Sequence, residues 1–466
     1  MDCRRVDTPG RAWYALAGAA AALVPSIAMW GFTVDDALIS IRYAHHLVTG
    51  AGWSFNAGAP ATDGVTPLPW PFLLAPLART PDLLAVLTRA KVLGVVAWTA
   101  GGAALGAKLG AAEGPHARRV SLLAVLALAF PVGAWAAAGM ETGLATTLAT
   151  LAACNFERPN RAGLLAGLAA SLRPELTPWA LTIAVGATIA RAEARRRALA
   201  LPALFAFAPF AVCTLVRVVA FGRAAPLAVL AKPSDAAHGV VYAVAAVVVA
   251  LLPLLVLAPL ALRRATARAR SLVVALLVHA LVLVAVGGDW MPFARLIVPI
   301  VPGLVLAAAD VAAVAHRAVT LARLAAAATL GVYLAANAAP AGRHVDPDRR
   351  VLVASARPVL ASSKVVAALD VGWVGAATEA RVVDLAGLTD PSVAVLPGGH
   401  TSKAVDVAML LDRDVDTVVL YAPPRHVEQR ILRAPLFRER FAQIAALPLG
   451  SAGYAVFRRL DRAGAD

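Results

Sequence analysis

Long apolar runs dominate this chain, broken at intervals by short clusters of charged and turn-forming residues. Runs of alanine, leucine and valine approach the length of about 20 residues at which a helix crosses a bilayer. The pattern predicts eleven spans, near 12–33, 85–107, 120–138, 140–156, 161–173, 175–190, 198–220, 239–261, 271–287, 292–315 and 319–340. The run from Ala12 to Phe32 is of spanning length and lacks a clear small-residue cleavage site, so it reads as a retained helix. Residues 66–79 are apolar but short and hold four prolines, which suits a re-entrant or surface-lying piece.

Past residue 340 the period changes. Lys364–Leu369, Arg381–Leu385, Thr417–Tyr421 and Tyr454–Arg458 are short β-branched runs expected to be strands. Ser402–Leu411 and Arg425–Leu447 read as helices. The expected fold is therefore an α-helical polytopic membrane domain over residues 1–340, with a first outer loop at 34–84. A small soluble α/β domain follows over residues 341–466.

Composition agrees. The chain is 60% apolar and 15% charged, with a mean hydropathy of +0.73. A soluble domain carries roughly a quarter charged residues. The net charge of +15 invites a nucleic-acid partner, but its distribution argues against one. Residues 341–466 hold 16 Lys/Arg against 14 Asp/Glu, so the surplus lies among the apolar runs. There it marks topology. With the N-terminus in the cytoplasm, the cytoplasmic segments hold 18 Lys/Arg. The other nine, Arg42, Arg79, Arg89, Lys91, Arg173, Arg217, Arg223, Lys232 and Arg295, fall in outer loops or at outer ends of spans. Eleven spans then put the C-terminal domain outside. Cys3, Cys154 and Cys213 all lie before that domain, which is expected to fold without disulfides.

The outer acids Asp35, Asp36, Asp63, Asp82, Glu141, Glu175, Asp235 and Asp289 interleave with these bases. As a set they suit one polar cavity at the membrane edge. The first loop is the richest stretch. It opens on adjacent carboxylates, Asp35 and Asp36, followed by a helix with an apolar stripe of Ala37, Ile41, Ala44 and Val48. Asp35, Arg42 and His46 share another line of that helix, and Asp36, Ser40 and Tyr43 the next. The helix is expected to lie on the bilayer with its polar lines facing away. A carboxylate there could act as general base toward a hydroxyl attacking a sugar carbon, with a nearby cation meeting the departing lipid phosphate. The competing role is structural, Asp35 being a helix cap and Asp36 its solvated neighbour. His45 and His46 have no ligand cluster beside them, so no metal site is expected, and a need for a divalent cation stays open.

The loop pattern DDALISIRYAHHL, with the glycines, FN and PW that follow, resembles the first outer loop of GT-C membrane glycosyltransferases that use polyprenyl-phosphate sugars. The likeness is greatest to the terminal β-(1→2)-arabinofuranosyltransferase family and its bacterial relatives. GMETGL at 139–144, LRPE at 172–175, LAKPSDAAHGVVY at 230–242, GGDWMPFARLIVPIVP at 287–302 and DLAGLTDP at 384–391 also look like family signatures. The resemblance implies a GT-C fold, an external active site and a carboxylate base in the first loop. Asp35 or Asp36 would be that base, with Asp35 favoured because it leads the line shared with Arg42 and His46. Arg42, Lys232 and Arg295 would be candidates for the donor phosphate, and His46, Asp63, Glu175, Asp289 and Trp290 would line the pocket. Glu141 is better read as an acid favoured by a helix N-terminus. Asp384 is expected to hold a turn or strand end. The chain has Thr62–Asp63–Gly64 where VEG is expected, Val65 for an aromatic, and Leu68–Pro69–Trp70 for a simple PLW. Those departures bear on the sugar rather than the reaction class.

The expected activity is transfer of a sugar, arabinofuranose among the choices, from a polyprenyl phosphate to a cell-envelope glycan or glycoconjugate. It would occur on the outer face of a bacterial inner membrane. Lipid, lipid-linked donor and acceptor are the partners, with no cofactor beyond the donor. A transporter or flippase for polyprenyl-linked sugars is the alternative, and it would favour paired charges deep in the membrane and symmetric halves. A reporter fused after residue 345 should be active only outside the cytoplasm. Cytoplasmic activity would exclude the eleven-span topology.

Overall fold

The computed structural model describes residues 10–112, 114–191, 196–246, 248, 265–450 and 452–462. The chain forms two compact units. The first comprises residues 1–32, 91–213 and 234–343, and the second residues 33–90, 214–233 and 344–466.

The protein is mostly helical. Leu83–Gly110, Ala200–Phe221, Ala267–Ala285 and Arg317–Asn337 are long and apolar enough to cross a membrane. His116–Ala127 and Phe130–Ala136, bent by 58° at their junction, together make a fifth candidate among the described residues. These are the helices of a multi-pass membrane protein. Helices also occupy the other expected segments, but several are short: Thr142–Cys154, Pro159–Leu172, Thr177–Ile189 and Gly303–Val314 run 12 to 14 residues. The segment expected at 239–261 begins in helix Ala236–Ala246, and most of its remainder lies outside the described residues.

The first unit is built by close backbone approach. Gly18 on helix Arg11–Ala28 faces Gly102 and Gly106 on Leu83–Gly110, and a Cβ on Gly18 or Gly106 would overlap the opposite backbone. Lipid tails are as apolar as leucine, so such helices associate by van der Waals fit, which small residues four apart allow. Buried carboxylates and guanidiniums are the exception to this apolar packing and are described below.

The second unit carries a five-stranded sheet of β1 (Val365–Ala368), β2 (Arg381–Asp384), β3 (Thr417–Ala422), β4 (Phe441–Leu449) and β5 (Ala452–Arg459). Its order is β2-β1-β3-β5-β4, with β1, β2 and β3 parallel and β5 and β4 antiparallel. The helix Val371–Ala377 links β1 to β2. The α/β expectation holds for this part of the chain, with two corrections of extent. The helix expected over Arg425–Leu447 ends at Arg433; Pro435 opens a separate turn of helix to Arg440, and Phe441–Leu449 pairs with β5. Ala-rich composition favours helix there, but the hairpin partner decides. The helix expected from Ser402 begins at Val407, because the Asp406 carboxylate accepts the Met409 N–H at 2.8 Å and caps it there.

The first-loop helix, Asp35–Thr49, belongs to this unit and turns most of its expected bilayer-facing stripe into protein, Val48 alone of the stripe being exposed. Its stripe residues Ala37, Ile41 and Ala44 are buried in protein, and so are Arg42 and His46 on the polar line. Residues 66–79 form a short helix, Pro69–Leu74, and a 3₁₀ turn packed against it, with Trp70, Leu74 and Ala78 buried.

Replacing Gly106 with valine should destabilise the first unit by about 1–3 kcal/mol, the range for an overpacked site. Thermal melting in detergent or nanodiscs measures it. An unchanged midpoint would mean that the two backbones do not meet as described.

Candidate functional site

Helix Val371–Ala377 is gripped at both ends by the first loop. At its N-terminus the Asp35 carboxylate accepts the N–H groups of Gly372 at 2.7 Å and Trp373 at 2.9 Å. It also takes a hydrogen bond from Arg349 at 2.7 Å. At the other end Arg42 donates to the carbonyls of Gly375 at 2.6 Å and Thr378 at 3.2 Å. Its remaining N–H groups reach the carbonyls of Phe55 and Ala380. Anion at the N-terminus and cation at the C-terminus is the arrangement that the helix dipole and its unpaired end groups favour. Seven residues of helix advance about 10 Å, so the Asp35-to-Arg42 spacing matches the length it grips. Glycine is required at Gly372, where a Cβ would meet the Asp35 carbonyl, and a Cβ on Gly375 would come within 2.7 Å of the end of the Arg42 side chain.

Asp35 continues into a charged network. Asp370, just past β1, is held by Arg425 through two hydrogen bonds at 3.0 and 2.7 Å and by the Tyr454 hydroxyl at 2.7 Å. Arg425 also binds Glu428, which accepts the Tyr421 N–H. Burial pushes the Asp35 carboxyl up to about 6; the Asp370 carboxylate adds to the rise, and Arg349 and the two amides pull against it. Asp370 moves the other way. Burial opposes its ionisation, yet Arg425 and Tyr454 hold its carboxyl below the ordinary value.

The other first-loop residues are occupied too. His46 pairs through Nδ1 with the Ser54 carbonyl at 2.7 Å. Asp63 accepts from Arg217 at 2.9 Å, and Arg217 also binds the carbonyls of Val65 and Thr66. Asp36, one residue after Asp35, is half-buried. Lys232 is half-buried, and among the described residues nothing pairs with its ammonium. Arg42, a phosphate candidate by resemblance, has its N–H groups on four carbonyls. His46 and Asp63, pocket residues by resemblance, are bonded to Ser54 and Arg217. Asp384 ends β2 fully buried and accepts the N–H groups of Ala386, Gly387 and Thr389, the turn-holding role expected of it.

The first unit holds a second set. Arg173 bridges Glu141 at 2.9 Å and Glu175 at 2.7 Å. Glu141 is fully buried, and its second oxygen has no partner among the described residues. Asp289 pairs with Arg295 at 2.6 Å and lies within Coulombic reach of Arg173. Arg295 sits over the Trp135 ring, and Trp290 stacks on His238 at 4.1 Å. Glu141 stands at the N-terminus of helix Thr142–Cys154, as expected of it, and is also the buried partner of Arg173. Arg173 itself was absent from the expected site; its signals were the interleaving of acids and bases and its place in LRPE. The first unit thus collects Glu175, Asp289, Trp290 and Arg295, and the second Asp35, Asp36, Arg42, His46, Asp63 and Lys232. Among the described residues no three His, Cys, Asp or Glu side chains converge to hold a metal ion.

Residues 342–462 match the model of a family described as Domain of unknown function (DUF8728). No curated protein and no solved structure matches the chain.

The two aspartates of the network give opposite pH signs. Asp35, raised in the folded state, contributes stability that is full below its ordinary value of 3.8 and is lost as pH rises through about 6. Asp370, lowered, contributes stability that is lost as pH falls below 3.8. The melting difference between wild type and Asp35→Asn should move against wild type between pH 4 and 6, by up to about 3 kcal/mol. The difference for Asp370→Asn should instead shrink in acid. A flat Asp35→Asn difference across that window would show that Asp35 does not titrate there.

Proposed function

We propose that the chain is a polyprenyl-phosphate-sugar-dependent glycosyltransferase of the GT-C kind, with Asp36 as general base. The acceptor hydroxyl loses its proton to Asp36 as its oxygen bonds to the anomeric carbon. The bond from that carbon to the phosphate oxygen breaks, and polyprenyl phosphate leaves with the electron pair. Lys232 meets the phosphate charge. Eleven crossings, an external C-terminal domain, a bacterial inner membrane and a cell-envelope acceptor complete the reading, with arabinofuranose the sugar its sequence likeness names.

What supports it is the direction that the fold gives the two adjacent acids. Asp35 accepts two amides and a guanidinium, so its lone pairs are directed at protein. Asp36 follows it on the same helix about 100° round, half-buried, on backbone that Asp35 holds fixed. Arg295 is less suited to the donor than Lys232, because Asp289 already binds it. One observation favours the alternative, a transporter of lipid-linked sugar: the Glu141–Arg173–Glu175 cluster is buried within the helical unit.

Purified wild type, Asp36→Asn and Lys232→Ala, assayed against a panel of polyprenyl-phosphate sugars, separate these readings. Asp36→Asn should lose about 10²-fold or more in transfer rate with an unchanged melting midpoint. Lys232→Ala should weaken donor binding about tenfold or more. Transfer near the wild-type rate in Asp36→Asn would overturn the assignment of the base. Lipid-linked sugar movement across vesicles without transfer would favour the transporter.

A further inference from the structure

A cleft of about 580 Å³ opens in the first unit, away from the carboxylate clusters. Three cations line it from three different places in the chain. Arg11 stands at the start of helix Arg11–Ala28, Lys108 in the last turn of Leu83–Gly110, and Arg158 at the N-terminal boundary of Pro159–Leu172. The one acid in the lining is Glu157, which pairs with Lys108 at 2.7 Å and with Arg268 at 3.2 Å. Arg268 also binds Asp310, so Glu157 is already balanced by its own partners. Arg11 and Arg158 are exposed, and among the described residues nothing pairs with their guanidiniums. Behind the cations the wall is apolar, with Ala107 and Leu151 among its residues.

We propose that this cleft binds the phosphate headgroup of an anionic phospholipid. The chemistry is a charged rim over an apolar wall. A phosphodiester takes charge-assisted hydrogen bonds from Arg11 and Arg158, whose forked donors suit phosphate oxygens, while the glycerol and first acyl carbons lie on the alanine and leucine wall. Basic pockets between membrane helices bind anionic headgroups by this logic. Arg11, Lys108 and Arg158 all come from segments that the charge pattern assigns to the cytoplasmic side, where a leaflet rich in anionic lipid would supply the ligand. The site is separate from the proposed sugar-transfer residues and stands without them.

The test uses the full chain in nanodiscs of phosphatidylcholine, alone or with phosphatidylglycerol, and reads melting midpoint and lipid retention by native mass spectrometry. Phosphatidylglycerol should raise the wild-type midpoint, since a ligand that binds only the folded state stabilises it. Arg11→Ala/Arg158→Ala should match wild type in pure phosphatidylcholine, which shows that it folds. It should bind phosphatidylglycerol about fivefold more weakly per cation removed. Arg317→Ala, outside the cleft, should keep the full response. Equal response in the double variant overturns the site. Inorganic phosphate reproducing the shift without anionic lipid overturns the lipid assignment in favour of a soluble anion.

Discussion

The second unit depends on one short helix held by charge at both ends. Val371–Ala377 is only seven residues long, too short to be stable by itself, and its end groups need partners. Asp35 supplies an acceptor to the amides and Arg42 donors to the carbonyls. Both come from one face of one first-loop helix, so helix–helix packing and end-capping are a single event. Gly372 and Gly375 make the approach possible. Buried charges usually cost more than they return, but these meet dipole ends and specific amides, the case in which they instead fix geometry.

The sheet explains why the grip lies where it does. In open parallel sheets the ligand crevice lies beyond the carboxyl ends of strands whose following connections run in opposite directions. Here β1 leads outward to β2, and β3 leads to the hairpin on the other side. Asp370 follows β1 and Arg425 follows β3, and they bind each other across that divide. Tyr454 of β5 closes the pair, and Asp35 reaches the same place through Gly372 and Trp373. The position that would hold a small ligand in a free-standing domain of this topology is occupied by the chain's own charges. The matched family, which begins at residue 342, therefore describes a fold whose crevice is completed here by residues more than 300 positions earlier.

Much of this was legible in periodicity. The switch from long apolar runs to short β-branched ones marked the sheet, and four of its strands fall where those runs put them. The fifth, β4, did not, because an alanine-rich stretch states no preference that its hairpin partner cannot override. The line Asp35–Arg42–His46 was visible as helical spacing, but its meaning was not. An amphipathic helix with a polar line looks the same whether that line faces water or the ends of another helix, and VGWVGAA carries no charge to announce itself as the partner. The carbonyl partners of Arg42 were hidden for that reason. The Glu141–Arg173 pair was hidden differently: its members are 32 residues apart, and nothing local distinguishes them from acids and bases at helix ends.

Adjacent acids at a helix start look redundant in sequence, and the structure removes the redundancy. Successive side chains on a helix diverge by about 100°, so two neighbours cannot both face the same partner. Once Asp35 is turned into the amides of Val371–Ala377, Asp36 must point elsewhere, whatever it does there. Its backbone is nonetheless immobilised by its neighbour's three hydrogen bonds. The place taken by one acid of the pair thus sets the direction of the other. The same reasoning separates Lys232 from Arg42 and Arg295. All three are cations of the outer segments, but Arg42 serves carbonyls and Arg295 serves Asp289. Charges that look alike in sequence are thus set apart by which end groups, carbonyls and carboxylates the fold turns toward each of them.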